Sequence, residues 1–131
     1  MVRLFNDPAV EVASLMRKIS KDEAADPNNV KVVTDKNGYA LYFSRSVIPY
    51  QRDADINTEY FLHIGAYGYR KEALLNFTKW PQSVLEKTEK LEQLRYLENG
   101  VRIKMAETAY NNIAIDTPED LEKAKKNWET S

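Results

Sequence analysis

Between positions 30 and 44 the chain runs Val30-Lys31-Val32-Val33-Thr34, Asp35-Lys36-Asn37-Gly38 and Tyr39-Ala40-Leu41-Tyr42-Phe43-Ser44. Two runs rich in β-branched and aromatic residues thus flank an Asn-Gly dipeptide. That dipeptide tolerates the positive φ angles of a tight turn. The pattern therefore predicts a β-hairpin with strands at 30–34 and 39–44.

Further strands are predicted on both sides of this hairpin. The apolar and aromatic run 60–65 predicts a strand that enters a segment rich in glycine and tyrosine, 65–69. Shorter alternating runs predict strands at 101–105 and 113–115.

The segment 10–19 is ambiguous by its pattern. Its apolar residues also suit a helical stripe, for which Asp7 would be the cap and Pro8 would lie in the first turn.

Helices are predicted between these strands. Residues 22–27 predict a short turn or helical piece that ends at Pro27, and residues 70–76 predict a helix. A long helix is predicted over 84–98, capped by Ser83 and ended by Asn99-Gly100. A last helix is predicted to start at Thr117-Pro118-Glu119-Asp120. Strands alternating with helices predict an α/β protein with a mixed sheet.

Composition narrows the class of protein. The 131 residues fit one domain, and 43% hydrophobic with 30% charged residues is typical of a folded globular protein. Nineteen basic residues against twenty acidic ones give a net charge of −1, which argues against binding to nucleic acid or to an anionic membrane. The absence of cysteine excludes disulfides and thiolate metal sites. No apolar run suits a signal peptide or a membrane span, so we expect a cytoplasmic protein.

Six segments together resemble one family, the CMP-Kdo synthetases (3-deoxy-manno-octulosonate cytidylyltransferases; Kdo is the sugar acid), from about residue 10 to the end. Each segment alone is a weak signal, but their order and spacing are specific. The six are Asp26-Pro27-Asn28-Asn29-Val30-Lys31-Val32-Val33, Gly38-Tyr39-Ala40-Leu41-Tyr42-Phe43-Ser44-Arg45, Ile48-Pro49-Tyr50 with Arg52-Asp53, His63-Ile64-Gly65-Ala66-Tyr67-Gly68-Tyr69-Arg70, Leu91-Glu92-Gln93-Leu94-Arg95 and Ile115-Asp116-Thr117-Pro118-Glu119-Asp120-Leu121.

The resemblance implies the mixed-sheet portion of a Rossmann-like nucleotide-diphospho-sugar transferase fold, and it favours a strand at 10–19. It implies an enzyme that joins CTP and Kdo with Mg²⁺ to give CMP-Kdo and pyrophosphate for lipopolysaccharide biosynthesis. The family's phosphate-binding and cytidine-binding loop is not recognisable before Val10. The resemblance therefore implies that residues 1–131 are the C-terminal, sugar-binding and dimer-forming half, inactive alone, without the N-terminal nucleotide-binding half.

The resemblance also implies site residues, and each has a plainer alternative. His63 and Tyr67 would lie in the Kdo pocket, although a lone histidine is more often structural. Glu92 and Gln93 would hydrogen-bond Kdo hydroxyls, although they could form an ordinary solvated helix face. Arg45 would pair with the Kdo carboxylate, although a structural salt bridge is nearly as good an explanation.

The one predicted metal ligand is Asp116, which the resemblance makes a Mg²⁺-binding aspartate. The alternative is a polar residue that helps Thr117 to start its helix. No other residue is predicted to bind metal, and no residue is predicted to be catalytic.

Two functions follow from this interpretation. The first is a cytidylyltransferase half whose partners are CTP and Kdo, or a close analogue such as the 8-amino form. The alternative is a non-catalytic module that binds the sugar acid or forms a homodimer. The hairpin aromatics Tyr39, Tyr42, Phe43 and Tyr50 would then be exposed in a monomer.

Overall fold

A computed structural model describes residues 2–108 of the chain. The segments predicted as a strand at 113–115 and as a helix from Thr117, and with them Asp116, lie outside this range. The described elements are a 3₁₀ helix Val2–Asn6, β1 Val12–Ile19, α1 Lys21–Ala24, β2 Lys31–Thr34, β3 Ala40–Ser44, β4 Tyr60–Tyr69, α2 Lys71–Lys79, α3 Val84–Glu89, α4 Leu94–Glu98 and β5 Ile103–Glu107.

The five strands form one mixed sheet in the order β3-β2-β4-β1-β5. Strand β1 is antiparallel to β4 and parallel to β5, and β2 is antiparallel to both β3 and β4. This arrangement confirms the predicted α/β class and settles the ambiguity at 10–19 in favour of a strand. The largest cluster of buried apolar side chains spans the sheet, with Phe43 on β3, Val32 on β2, Val12 on β1 and Ile103 on β5.

The predicted hairpin is confirmed, and its turn is held by one side chain. Asp35 accepts the backbone N–H of Asn37 at 2.8 Å and that of Tyr39 at 3.0 Å, while Gly38 has a φ of +84°. The turn also reaches across to the far edge of the sheet, because Met105 donates its N–H to the carbonyl of Gly38 at 2.8 Å. The hairpin turn and β5 therefore meet.

Strand β4 extends beyond the predicted strand, through the glycine-rich segment to Tyr69. Its pairing with β1 shifts between Ser14, opposite Tyr67, and Leu15, opposite Ile64. Gly65 and Ala66 on β4 therefore have no partner on β1 in this register. Such a bulge changes the direction in which neighbouring side chains point.

The predicted long helix over 84–98 is wrong, because the chain forms two short helices separated by a turn. Lys90 has φ 57° and ψ 49°, the left-handed conformation that ends α3. The turn brings the guanidinium of Arg95 to the carboxylate of Glu86 at 2.6 Å. In one continuous helix these residues would lie about 13.5 Å apart along the axis, so they could not pair.

The expectation that the hairpin aromatics would be exposed is wrong for Tyr39 and Phe43, and Tyr42 is only partly exposed and packs against the core. Tyr39 is 8% exposed and Phe43 is 0% exposed within this single chain, whereas Tyr50 is 85% exposed. Among residues 2–108, no helix has the length and apolar character that crossing a membrane requires.

Candidate functional site

The site is built around His63, whose half-buried side chain extends from β4. Its Nε2 lies 2.8 Å from the hydroxyl oxygen of Ser14 on β1, and its Nδ1 lies 3.2 Å from the amide nitrogen of Gln93. The ring packs edge-on against Phe43 at 4.8 Å and against Tyr67 at 5.3 Å between centroids. These two hydrogen bonds and two ring contacts therefore hold the imidazole in one orientation.

The hydrogen bonds assign a tautomer to this imidazole. The Ser14 hydroxyl has a single proton, which it donates to backbone carbonyls at the β4 bulge, to that of Ala66 at 2.8 Å and to that of Ile64 at 3.2 Å. Its oxygen is then left to accept the Nε2–H of His63, and Nδ1 accepts from the amide of Gln93. His63 is therefore neutral and uses both ring nitrogens within the protein.

Burial lowers the pKa of His63 to about 4, because the charged imidazolium would lose its hydration. A histidine with that pKa is uncharged near neutral pH. It acts here as a fixed support rather than as a positive charge for an anionic ligand.

Gln93 and Glu92 lie in the turn between α3 and α4. Gln93 is 7% exposed, which does not fit the solvated helix face considered as the alternative, whereas Glu92 is exposed. The break in the predicted helix produces this difference, because the chain turns at Lys90 and directs Gln93 towards the sheet. The pair thus offers a buried amide beside an exposed carboxylate.

A cavity of about 250 Å³ opens beside these residues. Its walls are mostly aromatic, with the carboxylate and amide on one side; the lining residues are Tyr67, Tyr69, Leu74, Phe77, Glu92, Gln93 and Tyr96. Burial raises the pKa of Tyr67, and the neighbouring Tyr69 and Glu92 act in the same direction. The phenol therefore stays protonated and can donate, while Glu92 can accept. A ligand with several hydroxyl groups needs both kinds of partner.

The structure thus brings together four of the predicted site residues. Tyr67, Glu92 and Gln93 line the cavity, and His63 lies behind them in contact with Tyr67 and Gln93. Arg45 is elsewhere: its guanidinium donates to the backbone carbonyls of Glu89 at 2.9 Å and Pro27 at 3.2 Å.

Asp116, the predicted metal ligand, lies outside the described residues. Among residues 2–108 there is no group of three or more histidine, aspartate or glutamate side chains that could hold a metal ion.

Sequence reasoning did not identify Ser14 or Tyr96. Ser14 is fully buried, but a serine within a strand has no distinctive pattern, and its role depends on the bulge in β4. Tyr96 is 2% exposed and packs against Phe77 with a centroid distance of 4.7 Å. It lies within the segment 84–98 that was predicted as one long helix, and its own residue type gives no sign that it lines a cavity.

Comparison with known proteins identifies the family of the chain. The sequence profile of the cytidylyltransferase family matches residues 1–103. The 3-deoxy-manno-octulosonate cytidylyltransferase of Flavobacterium johnsoniae is 59% identical over 123 residues, which is 92% of this chain and 50% of that protein. The enzyme of the same name from Koribacter versatilis is 51% identical over 126 residues, or 96% of this chain and 48% of that protein.

A solved structure shares the fold. CMP:2-keto-3-deoxy-manno-octonic acid synthetase complexed with CTP superposes with a TM-score of 0.82 at 43% identity, covering 98% of this chain and 53% of that one. The chain spans about half the length of the curated relatives it matches. Sequence and fold together show that the chain belongs to the cytidylyltransferase family, among the 3-deoxy-manno-octulosonate cytidylyltransferases.

Proposed function

We propose that this chain supplies the sugar-acid-binding part of an enzyme that joins CTP and Kdo, or a close analogue of Kdo, to give CMP-Kdo and pyrophosphate. Family membership supports the reaction class. The observation that carries the proposal is the cavity lined by Tyr67, Glu92 and Gln93, with a neutral His63 fixed behind it. Protonated phenol, amide and carboxylate suit the alternating donors and acceptors of a sugar acid.

In this reaction the anomeric hydroxyl oxygen of Kdo attacks the α-phosphorus of CTP and loses its proton. The bond between the α-phosphorus and the bridging oxygen breaks, and pyrophosphate leaves. The contribution of the described residues is to hold the sugar: Tyr67 donates, Glu92 accepts, and the amide of Gln93, itself bonded to His63, fixes the orientation.

We propose that Asp116 contributes one carboxylate to a Mg²⁺ ion, which would neutralise phosphate oxygens. A single carboxylate is a poor Mg²⁺ site, so further ligands must come from nucleotide phosphates and from other carboxylates. We also propose that the complete reaction needs a nucleotide-binding region in addition to residues 1–131.

Two measurements on the chain test these proposals. Kdo should bind and shift the imidazole resonances of His63, which is the only histidine, and Gln93→Ala should weaken binding about tenfold. Failure of Kdo to bind to the folded chain would contradict the assignment of the cavity.

Pyrophosphate release from CTP, Mg²⁺ and Kdo should be absent for the chain alone. Release that disappears in Asp116→Ala would overturn the requirement for a further nucleotide-binding region.

Homodimer formation is a separate proposal, supported by the exposed apolar side chains Leu41 (61%) and Tyr50 (85%) in and after β3. Sedimentation should show a dimer that Tyr50→Ser weakens. A monomer at high protein concentration would refute it.

A further inference from the structure

The turn between α3 and α4 adopts a conformation that its own sequence does not favour. Lys90 has a φ of 57°, a region uncommon for a residue that carries a β-carbon. Two residues later the chain reaches Glu92 and Gln93, which line the cavity. The position of those side chains therefore depends on whatever stabilises the turn.

Arg45, which follows β3, holds the backbone of this turn. Its Nε donates to the carbonyl of Glu89 at 2.9 Å and its Nη2 to that of Lys90 at 3.5 Å. Carbonyls at the end of a helix lack partners within the helix, and the guanidinium satisfies two of them. Arg45 thus acts as a side-chain cap for α3, which explains why it does not lie in the cavity.

Glu89, at the end of α3, joins the turn to β3 through its own side chain. Its carboxylate accepts the hydroxyl of Ser44 at 2.6 Å, the hydroxyl of Tyr42 at 3.0 Å and the backbone N–H of Arg45 at 3.1 Å. Burial alone would raise the pKa of Glu89, but these hydrogen bonds outweigh it and hold the pKa below the usual value. The carboxylate is therefore charged near neutral pH and bonded to three donors at the end of β3.

Lys31 holds the backbone at the end of β3, where the partners of Glu89 lie. Its side chain is fully buried, and Nζ donates to the carbonyls of Asp26 at 2.9 Å and Arg45 at 2.6 Å. The hairpin backbone that holds Glu89 is thus itself tied to the loop before β2. The sheet and the turn are joined through side chains rather than through shared backbone pairing.

We propose that Glu89 is a positioning residue for the sugar-acid site. By fixing the turn at Lys90 to β3, it sets the hydrogen bond between Gln93 and His63 and the place of Glu92 at the cavity. The assignment to sugar binding rests on the function proposed above, whereas the effect on His63 does not.

The test uses the imidazole of His63 as a reporter in ¹H–¹⁵N spectra, because the chain has no other histidine. Glu89→Ala should move the Nδ1 resonance towards its value in Gln93→Ala and weaken Kdo binding at least tenfold. Glu89→Gln keeps the size and one oxygen, so it should give a smaller change of the same kind. The matched control is Glu72→Gln, an exposed carboxylate in the first turn of α2 that should change neither property.

The outcomes separate the possibilities. A lower melting temperature with an unchanged His63 spectrum in the folded protein would mean that Glu89 is only structural, and the proposal would be overturned. If Glu89→Ala does not fold, the same comparison is made with Glu89→Gln. If the wild-type chain does not bind Kdo, but Glu89→Ala still changes the His63 spectrum, the positioning role would be supported. The proposed function would then be rejected instead.

Discussion

Removing the carboxylate of Glu86 should destabilise the chain more than most single substitutions. Glu86 and Arg95 form a two-pronged pair across the α3–α4 turn, with Nε–Oε1 at 2.8 Å and Nη2–Oε2 at 2.6 Å. Their side chains are only 4% and 13% exposed. Glu86 also accepts the backbone N–H of Ser83 at 3.1 Å, so Glu86→Ala removes three hydrogen bonds and leaves a buried charge.

The size of the effect follows from this burial. Breaking a buried ion pair costs about 3–5 kcal/mol, because the remaining charge loses its partner without regaining water. Arg95 keeps some compensation, since its guanidinium lies 4.2 Å from the centroid of Phe77 and reaches solvent at one edge. We therefore expect the lower end, about 3 kcal/mol. For a chain of this size that corresponds to a fall in melting temperature of about 12 °C.

Urea and thermal unfolding followed by circular dichroism would measure this loss. The control is Glu59→Ala, which removes a salt bridge to Lys18 whose side chains are 59% and 52% exposed, and which should leave the midpoint nearly unchanged. The double variant Glu86→Leu with Arg95→Met should lose less than Glu86→Ala alone, because no charge is left unpaired. A loss below about 1 kcal/mol for Glu86→Ala would refute the reasoning.

Two further measurements test the interior of the site. Tyr96→Phe should leave stability unchanged or raise it by about 1 kcal/mol, because the buried hydroxyl of Tyr96 has no hydrogen-bond partner among residues 2–108; clear destabilisation relative to Tyr50→Phe would show a missed partner. His63 should titrate near pH 4 in imidazole spectra. Because the unfolded chain takes up this proton at about pH 6.5, the free energy of unfolding should fall as the pH drops through that window, and a folded-state midpoint near 6.5 would contradict the burial argument.

Local chemistry was sufficient to predict part of the fold. Asn37-Gly38 predicted the hairpin because positive φ is a local requirement, which Gly38 meets at +84°. The segment around Leu15 remained ambiguous from its own pattern, since its pairing with both β4 and β5 decides its conformation. The helix break at Lys90 was not predictable, because the partners that hold it, Arg45 and the end of β3, are far away in sequence.

In the candidate site, too, the sequence predicted one part and did not predict another. His63, Tyr67, Glu92 and Gln93 were named from the family resemblance, and the structure brings them together. Their chemistry was not predictable in the same way, because the tautomer of His63 depends on Ser14, which the β4 bulge places beside it.

The meeting of the hairpin turn with β5 has a consequence for how the chain folds. The pairing of β5 joins residues near position 12 to residues near position 103, and the bond from Met105 to Gly38 spans most of the described chain as well. Forming such long-range contacts costs the entropy of closing a long loop of chain, and this cost comes before the contacts stabilise the fold. Strand β5 and the hairpin turn should therefore form in one late, cooperative step, and folding should be slow for a domain of this length.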